Sequence, residues 1–232
     1  MTVAYATAKS DLLEAALLHV PFDGWSEATF QEAIRETGMD RTMARAVCPR
    51  GAVDLAIEFH RLGDEKMLER LAETDMSGLR FRDKVALAVR LRLEVIEDKE
   101  AVRRGATLFA LPMYAADGAK LVWGTCDKIW TALGDTSTDY NWYTKRGTLS
   151  GVYSSTVLYW LGDDSPDHMS TWDFLDRRID NVMQIEKVKA TARKSPVLSK
   201  LMALQDQMLK GIRPPSEMAS NGLPGRWINP RK

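Results

Sequence analysis

The chain has 232 residues, 45% of them hydrophobic, which is enough for one large domain or two small ones around a real core. Its 32 Lys/Arg balance 32 Asp/Glu to a formal net charge of zero, so bulk electrostatics does not favour nucleic acid or another polyanion. The two cysteines, Cys48 and Cys126, match no disulfide framework or metal-ligand spacing, which argues against a stapled fold and for a reducing compartment.

Periodicity and breakers read as an all-α bundle of about ten helices. Ser10-Asp11 can cap a first helix carrying Leu12, Leu13, Ala16 and Leu17, closed by Pro21 and Gly24. Ser26 opens a short helix to Thr37, Gly38-Met39-Asp40 makes a tight turn, and a second short helix runs over 41–47. A longer helix over 52–73 sets Val53, Ile57, His60, Met67 and Leu71 near one face. Residues 81–97 alternate as a strand would, yet a strand of that length would lack a pairing partner. Leu, Arg, Glu and Ala dominate there, so a helix is expected. Three more helices are expected over 99–114, 119–133 and 141–161. Ser165-Pro166 then supplies an N-cap with proline at the first helical position, opening a helix to about 190, and Ser195-Pro196 repeats the device. Beyond Gly211 the chain turns Pro-, Gly- and Ser-rich. The expected organisation is therefore a helix-turn-helix-like part (1–50), a helical core (51–194), an amphipathic terminal helix (195–213) and an unstructured tail (214–232).

The N-terminal pair of short helices has the outline of a helix-turn-helix, but residues 9–50 hold five basic against seven acidic side chains. Phosphate contacts are made by cations or neutral donors, so a net-acidic module is poorly suited to DNA and no nucleic-acid partner is expected. Charge is unevenly spread: 177–213 carries +6 and 214–232 carries +2, leaving −8 on 1–176. The terminal helix lines Val197, Leu198, Leu201, Met202, Met208 and Leu209 on one side, behind a basic run, a pattern suited to an anionic bilayer surface. With no signal peptide, no presequence and no apolar run of about 18 residues, the chain is expected in a cytoplasm, peripheral on a membrane.

Catalytic and metal constellations are weak. The three histidines, His19, His60 and His168, form no ligating pair, and neither a phosphate-cradling glycine loop nor a nucleophile elbow occurs. No enzyme activity, metal or cofactor is expected. Asp135 and Asp139 read as helix-capping residues in a polar loop. Adjacent Trp142 and Tyr143 follow, and neighbouring helical side chains diverge by about 100°. At least one is expected at the surface, as a docking point. The middle of the chain is rich in apolar bulk, including Leu108, Met113, Trp123, Ile129, Trp130, Tyr153, Val157 and Trp160, consistent with a cavity for a lipid-like ligand.

The motif DTSTDYNWYTKR at 135–146, with SPD at 165–167 and TWDFLDRRI at 171–179, resembles the lipid-binding accessory protein family of coenzyme Q (ubiquinone) biosynthesis. The resemblance runs from about Leu12 to Ile212. It implies a TetR-regulator-like all-α fold, a homodimer that has lost DNA binding, and an apolar pocket for isoprenoids or phospholipids. It also implies a terminal helix on the inner membrane and a surface patch, here Trp142 and Tyr143, docking the demethoxyubiquinone hydroxylase. Eukaryotic relatives would carry a mitochondrial presequence; its absence here fits a bacterial one. The alternative within the same fold is a ligand-responsive transcription regulator.

Overall fold

A computed structural model describes residues 2–138 and 140–193; the expected terminal helix (195–213), with Val197, Leu198, Leu201, Met202, Met208 and Leu209, the tail and Asp139 lie outside them. Among the described residues the fold is all-α. Helix α1 spans Thr2–Leu17, so Ser10-Asp11 sits inside it rather than capping it: the Ala-rich residues ahead contain no glycine or proline to stop a helix. After a four-residue turn, α2 (Val20–Asp23), the chain makes α3 (Glu27–Thr37) and α4 (Arg41–Val47). Ser26 Oγ accepts from Thr29 N at 3.2 Å, and Asp40 Oδ1 accepts from Thr42 N and Met43 N, so both helices start where their caps stand. Gly38, at φ 63°, provides the left-handed residue that ends α3.

Helix α5 (Ala52–Glu73) is the spine. Helix α6 (Phe81–Glu94) has the alternating sequence, and it is a helix because it is central: Val85, Ala88, Val89, Leu91, Arg92 and Leu93 are all buried where it packs against α5, α8 and α10. Asp98 caps α7 (Lys99–Phe109), which stops short of the expected 114 because Pro112 follows within one turn. Helices α8 (Ala115–Ala132) and α9 (Tyr140–Leu161) form an antiparallel pair. The Ser165-Pro166 device opens only a 3-10 turn, Pro166–His168, with Asp167 and His168 at φ 50° and 55°; α10 begins at Met169 and runs to Arg193. Its first turn is held by Asp163, whose Oδ2 accepts from Thr171 Oγ1 at 2.6 Å and Thr171 N at 2.9 Å, while Oδ1 accepts from Ser165 N. These bonds, the Thr171 hydroxyl foremost, hold the Asp163 carboxyl well below the usual carboxylate range.

Two apolar clusters make the core. One joins α1 to α4 with the start of α5 and Ala101, around Leu12, Phe30 and Leu55. The other joins the end of α5 with α6 and α8 to α10, around Met67, Leu93, Ile129, Tyr153, Trp160 and Leu175. Because α5 is common to both, the space where the clusters diverge is spanned by its middle turns.

Candidate functional site

That space is a cavity of about 610 Å³. Leu13 and Leu17 of α1, Trp25, and Ala56 and Phe59 of α5 wall one side; Leu93, Val102, Leu121, Val122, Tyr153 and Val157 wall the other. The volume lies in the range of small-molecule sites, and the lining is dominated by hydrocarbon. Trp25 is fixed there by a 3.0 Å bond from its Nε1 to Ala101 O and by contact with Phe59.

One stretch of the wall is polar and closely built. Arg92 and Asp64, each with a 3% exposed side chain, pair through Nε and Oδ1 at 2.7 Å, and Arg92 Nη2 donates to His60 O at 3.0 Å. Asp64 also accepts from Thr125 Oγ1 at 2.8 Å and Lys128 Nζ at 2.9 Å. Burial opposes ionisation of Asp64, but His60, Arg92 and Lys128 hold its carboxyl below the usual range. Burial and the Arg92 guanidinium push His60 down to about 4, so its imidazole, bonded to Thr125 Oγ1 at 2.8 Å, is neutral at pH 7. Burial pushes the Tyr153 phenol up to about 12. Gly63 makes this packing possible: a Cβ there would stand 2.7 to 2.9 Å from the Arg92 guanidinium.

Of the eight residues expected to contact lipid, Tyr153 and Val157 line the cavity. Ile129 and Trp160 are buried in the core cluster, Leu108 packs on the N-terminal cluster, and Met113 is exposed at 74%. Trp130 stacks on Phe81 and donates to Lys145 O, while Trp123 belongs to an aromatic patch with Trp142 and Tyr143. Composition could not separate core from cavity here. The cavity residues not foreseen come chiefly from α5, α7 and α8. The sequence signal of the polar wall was Gly63 in the interior of a long helix, with Asp64 and Arg92 on otherwise apolar faces.

At the start of α9, Trp142 and Tyr143 are both half-buried, in edge contact at 4.8 Å, because Trp123 of α8 lies 5.8 Å from one ring and 6.3 Å from the other. A third ring thus accommodates the divergent pair. Arg146 lies over Trp142 at 4.0 Å and donates to Trp142 O, Asp127 and Asp135. Asp135, expected as a cap, is instead a clamp. Its carboxylate accepts from Lys145 Nζ at 2.7 Å, Arg146 Nη1 at 3.0 Å and Ser137 Oγ at 2.8 Å. Burial alone would raise it, but these three donors depress it to about 2. Among the described residues no group of His, Cys, Asp and Glu is placed to hold a metal ion, and no helix is long and apolar enough to cross a membrane.

Residues 115–186, from α8 into α10, match the COQ9 family model. The chain is 31% identical over 192 residues to the probable ubiquinone biosynthesis protein coq9, mitochondrial, of Dictyostelium discoideum, and 32% identical over 195 residues to the Rattus norvegicus ubiquinone biosynthesis protein COQ9, mitochondrial. Each alignment covers 78% of this chain and 61% of the relative, so the chain spans about three fifths of their length. The fold is similar to that of a TetR transcriptional regulator from Nitrosomonas europaea, with a TM-score of 0.62 at 14% identity, over 75% of this chain and 97% of that one. At that identity the likeness concerns the fold alone, and it matches the TetR-like architecture expected from the sequence.

Proposed function

We propose that the chain, similar to COQ9 proteins over most of its length, serves ubiquinone biosynthesis as a lipid-binding accessory protein of that family rather than as an enzyme. In this reading the cavity takes the apolar chain of a prenylated quinone intermediate, and the face at Trp142 and Tyr143 docks the hydroxylase that modifies its ring. The observation that carries the proposal is the cavity itself, about 610 Å³ and walled mainly by hydrocarbon from six helices and Trp25. Taking an isoprenoid from a bilayer gains little net hydrophobic energy, since lipid tails are already apolar, so the contribution would be placement rather than affinity. The terminal stripe Val197 to Leu209 would hold the protein peripherally on the inner membrane, and a second copy would complete a homodimer.

A transcription regulator is less well supported. On α3 and α4 the cations Arg35 and Arg45 are engaged by Glu32 and Glu27, and Arg50 beyond them by Asp54 and Asp117, which leaves mainly the exposed Arg41 to meet phosphate.

The test is native mass spectrometry with lipid extraction of the purified chain, paired with capture of the hydroxylase. Wild type should carry an isoprenoid or phospholipid, and Trp142→Lys should keep the lipid while losing the hydroxylase. A lipid-free wild type would overturn the cavity reading. Equal loss of lipid and hydroxylase would make Trp142 a packing residue.

A further inference from the structure

The polar wall of the cavity has two donors that the protein leaves unused. Arg92 donates from Nε to Asp64 and from Nη2 to the His60 carbonyl, and its Nη1 donates to no described residue. Tyr153 is 3% exposed, lines the cavity, and its hydroxyl likewise has no hydrogen-bond partner among the described residues. Both residues are only 3% exposed and line the cavity, and two donors left free on one apolar wall mark a place where a ligand supplies the acceptor. The wall is held in place as well: Asp64 is anchored by Thr125 and Lys128, and the guanidinium lies across Gly63, where any Cβ would displace it.

We propose that Arg92 Nη1 and Tyr153 Oη form a seat for the oxygen of an aromatic ring, a quinone carbonyl or the matching phenol, on a ligand whose apolar chain fills the rest of the cavity. This rests on the lipid-binding role and adds the orientation of the ligand while it is carried: ring inward, against the polar wall, a seat that the ring leaves when the hydroxylase modifies it. The donor set selects the chemistry. A carboxylate is best held by an unpaired arginine, and here the charge of Arg92 is already offset by the buried Asp64 carboxylate. What remains is the outer end of the guanidinium and a phenol, donors that together suit a neutral oxygen. The neutral His60 beside them adds no charge to attract an anion. The other cation at the cavity, Lys66, has a side chain 54% exposed and pairs with Glu97 at 3.3 Å, so it stands in water rather than at the apolar wall.

The experiment compares two probes on the full chain by competition against a bound fluorescent lipid. One is a dimethoxy-benzoquinone carrying a decyl chain; the other is decylbenzene, which keeps ring and tail but lacks the oxygens. Wild type is expected to prefer the quinone, and Tyr153→Phe, which removes one unbonded oxygen and leaves the packing in place, should weaken quinone binding about five-fold while leaving decylbenzene unchanged. Gly63→Ala should weaken the quinone in the same selective way by moving the guanidinium. If Tyr153→Phe binds both probes as wild type does, the seat is wrong while the cavity stands. The seat is equally wrong if Lys66→Ala, and not Tyr153→Phe, removes the quinone preference, which would place the ring outward. If wild type binds neither probe, the lipid-binding role falls and the seat falls with it.

Discussion

Replacing Asp135 by asparagine removes the carboxylate on which, among the described residues, Lys145 and Arg146 converge. Its depression from 3.8 to about 2 corresponds to roughly 2.5 kcal/mol favouring the charged form in the folded state. The carboxylate and Arg146 are each 3% exposed, so this part of the interaction is little screened; Lys145 is 38% exposed and contributes less. Breaking a buried pair costs about 3 to 5 kcal/mol when the partner is left alone, but Arg146 keeps Asp127 and the Trp142 carbonyl. A loss of about 2 kcal/mol results, or a fall of about 4 to 8 °C in Tm for a chain of this size. Thermal unfolding followed by circular dichroism at pH 7 measures it. A depressed carboxylate stabilises above its unfolded value and loses that contribution as pH falls through its folded one. The gap between wild type and Asp135→Asn should therefore close between pH 4 and about 2. Equal melting temperatures at pH 7, or a gap that persists unchanged in acid, would refute the reasoning.

His60 titrates in a different window. Its unfolded form takes up a proton near 6.5 and its folded form only near 4, so stability should fall across that interval by at most about 3 kcal/mol as the medium is acidified. Urea titrations at several pH values should show this slope, and His60→Gln should flatten it; an unchanged slope in the variant would assign it elsewhere. Gly63→Ala should lower stability by about 1 to 2 kcal/mol despite alanine's better helix propensity, because the new methyl displaces Arg92 from Asp64. A more stable Gly63→Ala protein would show that the guanidinium can move without cost.

Much of the helical frame can be read from local chemistry. Ser26, Gly38 and Asp40 stand where a helix starts or stops, and the spine 52–73 falls where its periodicity puts it. Segment 81–94 is harder: its alternation records burial on several sides, which depends on neighbours that sequence does not name. The start of α10 escapes local chemistry for a related reason. Ser165-Pro166 has the right residues for a cap, but Asp163 reaches over them to Thr171 and fixes the helix later. The cavity is the least legible feature, since Ile129 and Trp160 in the core and Val157 at the wall have the same composition. What separates them is the divergence of two clusters, set by α1 and Trp25, which are far away in the chain. The clamp at Asp135 is hidden because both of its cations lie a turn or more into the helix that it was expected to cap.

Helix α9 carries Trp142 and Tyr143 in its first turn and Tyr153 and Val157 in its middle. It is a single 22-residue rod, so the outer patch and the inner wall are about 15 to 22 Å apart on one rigid body. A tilt of that rod cannot alter one without moving the other. If a docked protein prefers one tilt, a cavity occupant that prefers the same tilt must tighten docking by the factor by which docking tightens its own binding. Loading and docking would then be two readings of one coordinate, and an empty protein would be the weaker competitor for its partner.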